Sequence, residues 1–253
     1  MVDTHCHILD SKLKDRAEEI VENLSRDGVD FIVEISADPR EAREGLDFAR
    51  KHERVYCTIG VHPNYADTYS DEFEQWALKQ TDPKIIAYGE CGLDYFHKMI
   101  DIELQREVFK KQIIIADKLK LPLVIHCRDA YDDVQEILRE HKEYLNNGVL
   151  IHCFSGTADD VKRFMEFDAY FAFGGAITFK NNYTAETALI AVSIDRLLLE
   201  TDCPYLSPEP LRGKINEPKN IRHVALRVTS VLDLTFDEVN KITSENARRF
   251  FKV

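Results

Sequence analysis

The sequence predicts a single parallel α/β domain closed into a (β/α)8 barrel, with extra helices at its C-terminal end. Three observations carry that expectation. The chain has 253 residues, and an α/β barrel occupies about 250 residues as one unit. Short apolar runs alternate along it with longer stretches whose apolar residues follow helical spacing. No segment is rich enough in Pro, Gly or Ser to act as a linker, and no fixed-period repeat appears, so residues 1–253 read as one domain. An open doubly wound sheet is the alternative arrangement of the same elements.

Val2 to His5 forms the first run, followed by Phe31 to Ile35, Val55 to Val61 and Ile85 to Tyr88. Leu123 to Ile125, Val149 to Ile151, Tyr170 to Phe173 and Leu197 to Leu199 complete eight. Near-continuous apolar strands of this kind suit a parallel sheet whose two faces are both covered. The intervening segments read as amphipathic helices: Val134, Ile137 and Leu138 fall at i, i+3 and i+4, and Val161, Phe164 and Met165 repeat the spacing. From Asn220 onward the chain reads as two helices. The second opens with Thr235-x-x-Glu238, whose side chains can each cap the other's backbone N–H.

Composition narrows the function. Acidic residues number 45 against 33 basic, for a net charge of −12, which argues against sequence-independent gripping of duplex DNA, since that binding rests on Lys and Arg neutralising phosphates. The start carries no basic and apolar leader, and the longest apolar stretches, Ile113 to Ala116 and Ala188 to Val192, are far too short to span a bilayer. Six cysteines occur without a C-x-x-C pair, so reduced thiols in a cytoplasmic protein are expected, with no membrane association and no obligate protein partner.

Polar residues interrupt the strands at their C-terminal ends. His5 and His7 lie two apart on an extended segment and therefore face the same way. Glu90 closes the fourth strand, His126 the fifth, His152 the sixth and Asp202 the eighth. In a parallel barrel all these ends share one face, where active sites are assembled from different strands. Any one histidine at such a position is more often a hydrogen-bonded structural residue than a ligand. Four histidines and two carboxylates together have no structural rationale, because burying that many polar groups is costly unless something satisfies them. A metal site is expected. Six donors exceed what one catalytic ion can use while keeping an open position, but two ions sharing the carboxylate of Glu90 can use them all. Imidazole-rich sites take Zn, Mn, Fe, Co or Ni, while Mg prefers oxygen.

The segments Asp3-Thr4-His5-Cys6-His7, Gly89-Glu90-Cys91-Gly92-Leu93-Asp94-Tyr95 and His126-Cys127-Arg128-Asp129-Ala130 resemble the TatD family of metal-dependent hydrolases. So do His152-Cys153-Phe154-Ser155-Gly156, Glu200-Thr201-Asp202-Cys203-Pro204 and Arg212-Gly213-x-x-Asn216-Glu217-Pro218. The resemblance, which runs from Asp3 to the helix around Asn246, implies a TIM barrel with two divalent metal ions (Mg, Mn or Zn). It also implies deoxyribonuclease activity that removes nucleotides from 3′ ends of single-stranded or frayed DNA. Carried over by position, His5, His7, Glu90 and Asp202 hold one metal and Glu90, His126 and His152 the other, with Asp202 as the base acting on the attacking water. Where amidohydrolase relatives place a carbamylated Lys on the fourth strand, this chain has Glu90.

Several neighbours carry two readings each. His62, followed by Pro63, matches a family active-site histidine that contacts the phosphate or helps protonate the leaving oxygen; on its own it reads more readily as a helix-capping or surface residue. Arg128 suits a phosphate but, opening a helical segment, is also simply a solvated cation. Glu200 lies two before Asp202 on the same strand face, one layer deeper, where it can support a ligand. Arg212, Lys214, Lys219 and Arg222 stand against one acid, Glu217, and form either a basic rim for a nucleic-acid end or a solvated face. Cys6, Cys91, Cys127, Cys153 and Cys203 each adjoin a candidate ligand. Strand alternation turns them away, Cys127 pointing outward where His126 points in, so none is expected to bind metal.

Two other functions share these residues. The same site serves hydrolysis of an ester or amide, since fold and metal do not select the substrate. A barrel that binds metal without turnover is the third, disfavoured by a complete donor set with a candidate base.

Overall fold

The computed structural model describes all 253 residues. Eight strands form one sheet: β1 (Val2–Cys6), β2 (Phe31–Glu34), β3 (Val55–Ile59), β4 (Ile85–Asp94), β5 (Leu123–Arg128), β6 (Val149–Ile151), β7 (Tyr170–Phe173) and β8 (Leu197–Leu199). They pair in sequence order and every pair is parallel. The helices α1 (Ala17–Asn23), α2 (Pro39–Ala49), α3 (Asp71–Ala77), α4 (Ile102–Leu119), α5 (Tyr131–Glu140), α6 (Ala158–Phe164) and α7 (Tyr183–Ala191) connect them, and α8 (Ile221–Leu232) and α9 (Phe236–Phe251) follow β8. This is the TIM barrel, not the open sheet.

Two apolar layers follow from strand alternation. Val33, Ile86, Val124, Leu150, Ala172 and Leu198 fill the lumen, which Phe250 and Phe251 of α9 help close. Their strand neighbours Ile32, Leu123, Ile125, Val149, Ile151, Leu197 and Leu199 pack outward against the helices. Each such side chain removed from water contributes roughly 1.5–3 kcal/mol. Helix starts are equally local: Asp38 accepts from the N–H groups of Arg40 (2.7 Å) and Glu41 (2.8 Å) to open α2, with Pro39 in its first turn. The expected box at α9 is present, with Thr235 Oγ1 accepting from Glu238 N (3.3 Å) and Glu238 Oε2 from Thr235 N (2.8 Å). No helix is long and apolar enough to cross a membrane.

Between β8 and β1 the barrel is joined by side chains and loop backbone. Thr4 Oγ1 donates to the Leu199 carbonyl (2.9 Å), and the buried Asp3 carboxylate accepts from Thr201 N (2.8 Å) and Thr201 Oγ1 (2.6 Å). Above them Asp202 N donates to His5 O (2.9 Å) and His7 N to Cys203 O (2.7 Å).

Two strand bounds differ from expectation. β3 stops at Ile59 rather than Val61 because Gln112 of α4 captures the Val61 backbone, its Oε1 accepting from Val61 N (2.8 Å) and its Nε2 donating to Val61 O (2.9 Å). β4 continues through Asp94 rather than ending at Tyr88, since its glycines are points of close approach. A Cβ on Gly92, at φ +131°, would lie 2.1 Å from the His126 carbonyl.

Candidate metal centre

The C-terminal strand ends bring the six sequence-predicted donors together. Glu90, at the middle of β4 and almost fully buried, is the hub. Its Oε1 lies 2.7 Å from His152 Nε2 and 2.8 Å from His126 Nδ1, and its Oε2 3.3 Å from His5 Nε2. Asp202, just beyond β8, places Oδ1 3.5 Å from His7 Nε2 and 3.8 Å from His5 Nε2. His5 and His152 stack face to face with centroids 3.8 Å apart.

The charge pattern matches a cation site. Burial opposes ionisation of Glu90, but the imidazoles of His152, His62 and His5 hold its carboxyl well below the usual range. Asp202 is likewise held down, burial being outweighed by His7, His5 and His152. Imidazole nitrogens also converge on one another: His5 Nε2 lies 3.3 Å from His7 Nε2, and His126 Nδ1 3.2 Å from His152 Nε2. Two nitrogen lone pairs facing at that distance repel unless a proton or a metal ion lies between them, and the mixed nitrogen and carboxylate donors fit divalent metal. Four groupings have donor atoms within 4.8 Å of one another: His5, Glu90 and His152; His5, His7 and Asp202; His62, Asp94 and His126; and Asp3, Cys6 and Cys203.

The carboxylates behind these ligands orient them. Glu200 is fully buried, with no other partner for its oxygens, and its Oε1 lies 3.5 Å from His152 Nδ1. Asp94, which the sequence reading passed over, sits behind His126: its Oδ2 lies 3.1 Å from His126 Nε2, 2.7 Å from His97 Nδ1 and 3.2 Å from Asn64 Nδ2. Its Oδ1 accepts from Phe96 N (3.0 Å) and His97 N (2.9 Å). A proton on His126 Nε2 then points at Asp94 and leaves the Nδ1 lone pair facing Glu90 and His152. The signal available in sequence was spacing, Asp94 being four residues beyond Glu90 on one extended strand.

His62 is a cap, and its ring also faces the centre. Its Nδ1 accepts from Asn64 N (3.0 Å), capping a short 3-10 turn, while its Nε2 faces Glu90 Oε1 at 3.6 Å. Burial and the adjacent His126 push its pKa down to about 3, so the ring is neutral, with its hydrogen on Nε2 toward the cleft. Arg128 ends β5 rather than opening a helix, and its guanidinium lies 4.8 Å from the Phe96 ring on the cleft wall. Arg212 is not brought to the cleft; its guanidinium lies 3.6 Å from the Phe179 ring. Nor do Lys214, Lys219 or Arg222 line it, and Glu217 is held by Arg16 (2.7 Å) and Lys219 (2.5 Å). Cys6, Cys91, Cys127 and Cys203 pack in the outer apolar layer, and Cys153 is half-buried at the mouth with burial pushing its thiol pKa up.

The family model described as "TatD related DNase" matches residues 2–252. The chain is 36% identical over 254 residues to the uncharacterized metal-dependent hydrolase YabD of Bacillus subtilis (strain 168), covering 100% of this chain and 99% of YabD. It is 33% identical over 258 residues to the uncharacterized metal-dependent hydrolase YcfH of Escherichia coli (strain K12), covering 100% and 96%. The crystal structure of YJJV, a TatD homolog from Escherichia coli K12, superposes with a TM-score of 0.94 at 26% identity, covering 100% of this chain and 98% of that one. A parallel barrel whose strand ends carry this donor set, with relatives of this kind along its whole length, is a metal-dependent hydrolase. The chain belongs to the TatD family.

Proposed function

We propose that this protein is a cytoplasmic deoxyribonuclease that cleaves phosphodiester bonds at the 3′ ends of single-stranded or frayed DNA. The observation that carries the reading is that hydrogen-bond donors enter the same cleft, of about 570 Å³, as the ligand cluster: the Nε2–H of His62 and the guanidinium of Arg128. The family model's description supports a nuclease.

His5, His7, Glu90 and Asp202 would hold one divalent ion and Glu90, His126 and His152 a second, with Glu90 shared. Such ions, when bound, polarise the phosphoryl oxygens and acidify water. The remaining work falls to the chain itself. Asp202 orients the attacking water and takes its proton at a carboxylate oxygen. His62 donates from Nε2 to a phosphate oxygen, Arg128 holds the phosphate by charge-assisted hydrogen bonds, and Glu200 and Asp94 keep His152 and His126 in register. The proton accepted by Asp202 leaves with the departing 3′ oxygen as the P–O bond breaks.

A second reading, hydrolysis of a non-nucleic-acid ester or amide, is favoured by one feature of the same cleft. Its β2 side is walled by Glu41, Glu44 and Asp10, which repel a polyanion and admit uncharged or cationic substrates.

The test is hydrolysis by the full-length protein at fixed loading with Mg, Mn, Co or Zn, using single-stranded DNA, duplex DNA, acyl esters and amides. Metal-dependent release of nucleotides, lowered at least about a thousandfold in both Glu90→Ala and Asp202→Ala, is expected. Turnover of esters or amides alone moves the assignment to the second reading. Stoichiometric metal with no turnover of any substrate refutes both.

A further inference from the structure

We infer that Phe96 with Arg128, and Tyr205 with Lys12, are two cation-backed aromatic platforms on which unpaired nucleobases stack on either side of the scissile phosphate. This rests on the phosphodiesterase reading and deepens it, because such platforms require a strand whose bases are not paired.

Three aromatic side chains stand exposed at the mouth, Phe96 at 55%, Tyr205 at 43% and Tyr65 at 42%, and all three line the cleft. Single exposed aromatics are ordinary on a protein surface. These are placed by the centre itself: Tyr65 N donates to His62 O (2.8 Å), Phe96 N to the Asp94 carboxylate (3.0 Å) and Tyr205 N to Asp202 O (2.9 Å). Each ring thus sits two or three residues beyond a residue that builds the site, on a loop tied back to it.

Two of the rings carry a cation. The Arg128 guanidinium lies 4.8 Å from the centroid of Phe96, and Lys12 Nζ 4.7 Å from that of Tyr205. Tyr205 is also fixed from its far end, its hydroxyl donating to Asp10 Oδ2 (2.8 Å), and its ring stands edge-on to His7 at 6.2 Å. The first pair flanks the centre on the His126 side and the second on the His7 side. An aromatic face beside a cation offers stacking to a base and charge to its phosphate, which is how single strands are held without sequence preference. Glu41 and Glu44 on the β2 side leave these two platforms as the electrostatically favourable track, Asp10 at the second being faced by Lys12.

The experiment uses the metal-loaded protein and 5′-labelled single-stranded oligonucleotides with either thymines or abasic residues at the last positions. Phe96→Ala and Tyr205→Ala are each expected to raise KM for the thymine substrate about 5- to 100-fold, with kcat changed less than about threefold. Phe96→Trp and Tyr205→Phe should restore KM, which a purely structural role for the loops would not predict. The abasic substrate should show the raised KM with wild type and be insensitive to either alanine variant. Metal content and Tm, measured on every variant, confirm an intact centre. DNA hydrolysis by wild type with KM unchanged in both alanine variants overturns the platforms and leaves the nuclease reading standing. A KM effect on aryl esters but not on DNA also overturns them. No DNA hydrolysis by wild type refutes the nuclease reading and the platforms with it.

Discussion

Replacing Asp94 by Asn should weaken metal binding while leaving the fold in place. The Asp94 side chain is fully buried at the end of β4, and its Oδ2 faces His126 Nε2, His97 Nδ1 and Asn64 Nδ2. An Asn can keep its carbonyl oxygen where Oδ1 accepts from Phe96 N and His97 N, so the loop survives. Its amide NH2 then meets His126 Nε2, which can answer only by giving up its hydrogen. The imidazole proton moves to Nδ1, 2.8 Å from Glu90 Oε1, and occupies the lone pair that a metal needs. Loss of such a supporting carboxylate lowers metal affinity about 10- to 100-fold, equivalent to about 1.4–2.7 kcal/mol. Donors left without an acceptor add about 1–3 kcal/mol of destabilisation in chelator. Calorimetric titration of the metal-free protein with Mn and Zn reads the first quantity, and urea unfolding in EDTA the second. Wild-type affinity for every metal bound by Asp94→Asn would show that His126 is not oriented through Nε2, and the tautomer argument would fail.

Removing metal with EDTA should lower Tm by about 5–10 °C, because a ligand present at 100 times its Kd contributes about 2.7 kcal/mol and a chain of this size shifts about 2–4 °C per kcal/mol; an unchanged melting curve contradicts the ligand assignment. Burial pushes the Glu34 carboxyl up to about 8. The native state therefore keeps its proton where the unfolded chain has lost it, and stability falls by up to about 1.4 kcal/mol per pH unit from about pH 4.3 to about 8. Glu34→Gln should remove that slope in urea melts at pH 5, 6.5 and 8, and a slope equal to wild type would place the titration elsewhere. Arg128→Ala should raise KM for DNA about tenfold, whereas Arg212→Ala, lying on Phe179 away from the cleft, should change it less than about twofold; equal effects would restore Arg212 to the substrate path.

What was legible in the sequence follows from which physics is local. Parallel strands buried on both faces must be nearly all apolar, so runs such as Leu123 to Ile125 stand out, and a polar residue at their ends is conspicuous for the same reason. That made His126, His152 and Asp202 visible one at a time and their convergence a matter of topology. Asp94 was missed because the apolar run of β4 ends at Tyr88, while the strand continues past Gly89 and Gly92, the positions where β5 approaches too closely for a side chain. Arg212 stayed open between two readings because its loop follows no period; the ring it packs on, Phe179, is distant in sequence.

The seam of the barrel binds folding to the site. His5 comes from the first strand, His7 from the residue just after it and Asp202 from the residues after the last, and no local interaction brings them together. Their approach depends on Asp3 accepting both hydrogen bonds of Thr201 and on Thr4 reaching Leu199, contacts that span 198 and 195 residues of chain. Closing so long a loop costs entropy that only a completed barrel offsets. A donor set divided between the two ends of the chain is therefore assembled by ring closure, and metal held there would be a further link between β1 and the segment after β8. The two sides of the centre differ in this respect. His126 and His152 stand on adjacent strands whose pairing is already made by backbone hydrogen bonds, so the half of the centre around them has no need of the seam, whereas the half built from His5, His7 and Asp202 exists only while the seam is shut.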